Sequence, residues 1–141
     1  MSNFPDEPPM GRPTEFGDIS PFTLERREYL GATETPVYCL PVTLRGQLIG
    51  YVWASGTADA ASFCARRGTG AAGFDAGGPW RARLRKARED GLSPLEAIRL
   101  WVGRPEDPTG GGVLAGAEEQ VMPNSQAVRA LASRSAEGEG K

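Results

Sequence analysis

The sequence predicts an α+β fold: a small antiparallel sheet of about three strands around a central hairpin at 37–54, with three or four helices and flexible tails at both ends. Three observations carry this reading. Val37 to Ala54 (VYCLPVTLRGQLIGYVWA) is the longest stretch of apolar, β-branched and aromatic residues, and a glycine sits near its midpoint. Ser93-Pro94-Leu95-Glu96 has the capping-box pattern of a helix start. With 141 residues, 39% hydrophobic and 24% charged, the chain has the size and composition of one globular domain.

Residues 1–18 (MSNFPDEPPMGRPTEFGD) combine Pro5, Pro8, Pro9 and Pro13 with Asp6, Glu7, Glu15 and Asp18 against the single Arg12. Such a segment buries too little apolar surface to offset its ordering entropy, so it is read as a disordered tail. The domain is then expected over 19–132, with a second tail at 133–141. Phe22 to Leu30 (FTLERREYL) alternates in part and is read as a third strand, turning through Gly31 to Thr35 into the hairpin. A short helix is the competing reading there.

Within the hairpin, a turn at Arg45-Gly46 or Gly46-Gln47 gives one partition of faces. Tyr38, Leu40, Val42 and Leu44 fall with Ile49, Tyr51 and Trp53, and this bulky set is the expected core face. Val37, Cys39 and Thr43 fall with Leu48, Gly50, Val52 and Ala54 on the smaller face. Pro41 cannot donate to a ladder, which makes its strand an edge or bulged there and places the third strand beside 48–54.

After Ser55-Gly56 a helix is expected over 58–66, anchored by Phe63, then a flexible loop over 68–78 pinned by Phe74. Pro79 in a first turn opens a helix to about Asp90, ended by Gly91. The capping box starts the next helix, which is expected to reach about Val102. Leu95, Ile98 and Val102 form its apolar stripe, Trp101 flanks it and Leu100 points away. The two helices form an αα-hairpin. Residues 104–112 (RPEDPTGGG) read as loop, a short strand is allowed at Val113-Leu114, and a last helix is expected over 125–132 with Val128 and Leu131 inward.

The composition narrows the chemistry. The chain has no histidine, which removes the usual general base near neutral pH and the commonest metal ligand. Two cysteines, Cys39 and Cys64, are too few for a thiolate zinc site and too far apart for a CxxC pair, and both read as small buried hydrophobes. The start of the chain has no basic and apolar signal pattern and no run is long enough to span a bilayer, so a reduced, cytoplasmic setting is expected. Net charge is −2, which gives no global attraction to nucleic acid or membrane.

Gly68-Thr69-Gly70-Ala71-Ala72-Gly73 has the letters of a dinucleotide fingerprint, but without a predicted strand before it and a helix directly after it the segment reads as linker. Glu89/Asp90, Glu106/Asp107 and Glu118/Glu119 read as solvated acidic pairs. No catalytic, metal or cofactor residues emerge. The favoured reading is a non-enzymatic interaction or accessory domain whose Leu100 and Trp101 contact another chain, most simply a second copy. The alternative is anion or nucleic-acid binding through the basic segment 66–88, with Arg81, Arg85 and Arg88 as candidate anion ligands. Nucleic acid is disfavoured, because no Phe or Tyr is interleaved with these arginines for base stacking.

Overall fold

The computed structural model describes residues 28–139. The expected tail at 1–18, and the expected strand at 22–30 up to residue 27, lie outside the described residues. A four-stranded antiparallel sheet has the order β3-β2-β1-β4, with β1 at Val37–Leu44, β2 at Gln47–Ser55, β3 at Ala61–Ala65 and β4 at Gln120–Met122. Three helices accompany it: α1 (Gly70–Glu89), α2 (Pro94–Arg99) and α3 (Ser125–Glu139). This is the small antiparallel α+β fold that the sequence predicts.

The hairpin closes through Arg45-Gly46, both at positive φ (49° and 82°), and Leu44 pairs with Gln47. Positive φ at both central residues is the mirror-image turn whose twist matches paired strands. Beyond the turn the pairing slips by one. Val42 pairs with Gly50 and Thr43 with Leu48, leaving Ile49 as an extra residue on β2. This bulge overturns the predicted partition of faces. Ile49 stays with Leu44 and Val42, but Val52 and Ala54 join them and Leu40, whereas Tyr51 and Trp53 move to the opposite face with Val37 and Cys39. Two local features hold the bulge. The Ile49 carbonyl accepts from Arg66 N–H at 2.8 Å. Gly50 lies so close to β3 that a Cβ there would fall 2.5 Å from Phe63 Cζ and 2.6 Å from the Cys64 carbonyl oxygen.

Both faces of the sheet are therefore buried. On the first, Leu40, Val42, Ile49, Val52 and Ala61 pack against Ala76, Trp80, Leu84 and Ala87 of α1 and Ala97 and Ile98 of α2. On the second, Val37, Cys39, Tyr51 and Trp53 pack against Val128 and Ala132 of α3.

Residues 61–65 form a strand where a helix over 58–66 was expected, because ASFCA completes the β2 ladder from Ala54↔Ala61 to Gly50↔Ala65. Leu30 makes an isolated parallel bridge to Ala60 at one end of it. Residues 70–78 are helical, not loop. The buried positions Gly73, Ala76, Trp80, Leu84 and Ala87 recur at helical spacing, and burying that stripe outweighs the poor local propensity of the glycines and of Pro79. Pro79 lies inside α1, and the carbonyl it leaves unbonded belongs to exposed Asp75. Gly73 allows the first turns to approach the bulge, since a Cβ there would sit 3.1 Å from the Ile49 carbonyl oxygen.

The capping box at Ser93 forms as the sequence indicates. Ser93 Oγ accepts from Glu96 N–H at 3.1 Å, and Glu96 Oε1 accepts from Ser93 N–H at 2.9 Å. α2 is shorter than expected and ends at Arg99, after which Val102 bridges Val113. β4, which has no strong sequence signal, pairs with β1 from Val37 to Cys39 only, so Pro41 lies beyond the ladder on that side. α3 continues past the expected end at Ala132.

The bulge makes a direct prediction. Gly50→Val should destabilise by about 1–3 kcal/mol, because Phe63 must leave its stack on Trp80 to admit the side chain. Chemical denaturation checks this. An unchanged midpoint would show that the bulge does not depend on the missing Cβ.

Candidate functional site

α1 and α2 meet at an angle set by the turn Asp90-Gly91-Leu92. Gly91 takes φ 83°, and its N–H donates to the Arg88 carbonyl while Leu92 N–H donates to the Ala87 carbonyl. Between α1 and the C-terminal end of α2 lies a groove of about 300 Å³ lined by Ala82, Arg83, Lys86, Ala87 and Asp90 of the α1 side and by the α2 C-cap Leu100 and Trp101 after it. Leu100 is 41% exposed on its wall. Lys86 and Asp90 pair at 3.1 Å along the rim.

Trp101 is half-buried. Its ring meets Trp80 edge-on, with centroids 6.4 Å apart and planes at 75°. The Arg83 guanidinium lies 4.5 Å from the Trp101 ring and 4.6 Å from that of Trp80, so it is held between two indoles. Arg104, in the following loop, lies 5.4 Å from the Trp101 ring. The loop thus covers part of Trp101 and leaves Leu100 open. Trp101 Nε1 is buried with no hydrogen-bond partner among the described residues.

The remaining basic side chains of α1 are mostly engaged. Arg85 pairs with Glu28. Arg88 pairs with Asp59 at 2.6 Å and lies 5.5 Å from the Tyr29 ring. Tyr29 Oη donates to the Leu92 carbonyl at 2.7 Å, and burial pushes its phenol up from the usual value. Arg81 is exposed and makes no ion pair among the described residues. Of the three candidate anion ligands, two therefore already hold carboxylates of this chain.

Within the basic segment Arg83 is not set apart by residue type in the sequence, yet its place is an enclosed one. Its side chain is 13% exposed and lies 3.7 Å from Asp107. Burial lowers its pKa and the Asp107 charge opposes that shift. Asp107 itself is held below the ordinary carboxylate range by N–H bonds from Gly110 and Thr109, at 2.6 and 2.9 Å, and by Arg83. The spacing of Trp80 and Arg83, one helical turn apart, is the sequence signal that could have marked it.

The two cysteines are free thiols. The register puts Cys39 opposite Trp53 and Cys64 opposite Tyr51, on either side of β2. Burial pushes the Cys39 thiol up to about 11, so it is not ionised at neutral pH. Cys64 is also raised by burial, an effect that Arg129 opposes. The glycine run at 68–73 does follow a strand and open a helix, contrary to the sequence expectation. The sheet is antiparallel, however, and Gly73 packs on Ile49 rather than facing an open phosphate site. Among the described residues no group of three or more His, Cys, Asp and Glu is placed to hold a metal ion, and no helix is long and apolar enough to cross a membrane.

Compared with protein-family models, curated proteins and solved structures, the chain finds no match.

Arg99 and Glu119 form the best-aligned ion pair here, with Nε and Nη2 at 2.6 and 2.8 Å from the two carboxylate oxygens. That contact holds the Glu119 carboxyl below its ordinary value, and burial partly opposes the shift. A folded-state pKa below the unfolded one contributes stability above the unfolded carboxylate range, and that stability is lost as pH falls through the native value. Glu119→Gln should therefore cost at most about 1 kcal/mol at pH 7 and less at pH 3, as a partly exposed pair warrants. Thermal melts at the two pH values check this, and an equal loss at both would contradict it.

Proposed function

We propose that this chain is a non-enzymatic interaction domain that self-associates through the groove between α1 and α2. The observation that carries the reading is Leu100, a large apolar side chain left 41% exposed on the wall of a mainly apolar groove. Burying a leucine that is half in water is worth roughly 1 kcal/mol or more, and a second copy brings an identical leucine to the same surface. The rim is self-complementary. Lys86 and Asp90 carry opposite charges one turn apart, so a twofold axis can set each lysine beside the other copy's aspartate. Arg83 and Trp101 give the groove a rigid floor, which limits the ordering cost of association. The proposed setting is the cytoplasm, where two free thiols persist.

Light scattering coupled to size exclusion tests the proposal. The wild-type chain should approach the mass of a dimer as concentration rises, and Leu100→Glu should remain a monomer whose thermal stability matches that of the wild type at concentrations where both are monomeric. A wild-type monomer at every concentration up to roughly 0.1 mM, a weak-dimer range, would overturn it.

A further inference from the structure

A second surface lies on the far side of α1, at the outer edge of β3. Alternation along the strand is fixed by its first residues. Ala61 N–H donates outward to the Leu30 carbonyl, while the Ala60 carbonyl accepts from Ser55 on the inner side. Phe63 and Ala65 therefore present their N–H and C=O groups outward as well. Beyond the Leu30 bridge this edge pairs with no other strand among the described residues. The nearest side-chain donors to its outward carbonyls are the edge's own Ser62 Oγ, 3.5 Å from the Phe63 oxygen, and Cys64 Sγ, 3.9 Å from the Ala65 oxygen. Both are at the limit of a hydrogen bond and leave the N–H groups unmet.

The edge does not face open water alone. A cavity of about 240 Å³ runs beside it, between Ala61, Ser62 and Phe63 of β3 and Gly77, Arg81 and Leu84 of α1, and the segment from Glu28 to Gly31 closes one end. Gly77 borders open space in this cavity, since a Cβ there would meet nothing within 4 Å, so a larger side chain has room to enter it. Arg81 supplies a charge with no ion pair among the described residues, whereas Glu28, which also lines the cavity, is already paired with Arg85. An unpaired strand edge, an adjoining helix and a slot between them are the parts of a strand-addition site.

We infer that the β3 edge and the slot beside α1 bind an extended acidic peptide segment of another protein. The segment pairs its backbone with Phe63 and Ala65. It places an Asp or Glu opposite Arg81 and small apolar side chains two residues away over Phe63, because alternate side chains of a strand share one face. The acidic preference follows from Arg81 being the uncompensated charge of the slot. This surface is separate from the α1–α2 groove and does not depend on self-association.

The test uses the full chain and a blocked peptide of alternating valine and threonine with a central glutamate, alongside its lysine counterpart. Amide exchange is followed by NMR at roughly millimolar peptide. The glutamate peptide should slow exchange of Phe63 and Ala65 about tenfold or more, and the lysine peptide should bind at least about tenfold more weakly. Arg81→Glu should reverse that preference, and Gly77→Leu, which fills the slot, should abolish binding by both. Equal binding of the two peptides, or no change at Phe63 and Ala65, would overturn the inference. So would protection of those amides without peptide, whether concentration-independent (an occupant from the same chain) or rising with protein concentration (a second copy).

Discussion

The packing of Trp80 sets how the sheet, the helix pair and the loop after them meet. Its side chain is fully buried, and it joins elements that are far apart in sequence. The ring stacks on Phe63 of β3, with planes 3° apart, and meets Trp101 edge-on beyond α2. Its Nε1 donates to the Gly110 carbonyl at 2.9 Å. One indole thus fixes the sheet, the helix pair and the 104–112 loop relative to one another. Aromatic packing of this kind adds about 0.5–1.5 kcal/mol per pair beyond area burial, and the buried N–H requires its acceptor. The loop in turn reaches the hairpin, because Gly112 and Thr43 exchange two backbone bonds of 2.8 Å and Glu106 accepts from Arg45 N–H.

The bulge at Ile49 explains why the sheet can be covered on both sides. Without it, Tyr51 and Trp53 would crowd the α1 face beside Trp80, and the opposite face would offer Val52 and Ala54, too small to fill the space under α3. Slipping one residue sends the large rings to α3 and leaves aliphatic residues opposite Trp80. Gly50 and Gly73 permit this by bringing β3 and α1 close to the bulge. Once both faces are buried, the sheet itself offers partners an edge rather than a face. The proposed peptide slot lies at that edge, and the proposed groove on the opposite side of α1.

Local signals were legible in the sequence wherever the residue types satisfy their own backbone. The capping box at Ser93 and Glu96, the tight turn at Gly46 and the two apolar strands around it belong to this class. What failed was whatever depends on a distant partner. Nothing within 37–54 announces the extra residue at Ile49, because its cause is the approach of Phe63 and Arg66. Residues 70–78 look like loop when glycine and proline are weighed alone, and become helix because Trp80 and Ala76 have a sheet to pack on. The exposed Leu100 could be read from helix geometry, whereas Arg83 acquires its place only once Trp101 folds back over Trp80.

Amide exchange in a Trp80→Phe variant separates the loop's dependence on this indole from that of the hairpin. Phenylalanine keeps an aromatic ring in the core but removes the donor to Gly110 and shortens the reach to Trp101. Protection of Gly111 and Gly112 should fall by about tenfold or more, the loss of one buried hydrogen bond, while Val52 and Trp53 in the hairpin keep theirs. Equal loss of protection in loop and hairpin, or none in the loop, would contradict a local hold of this indole on the loop.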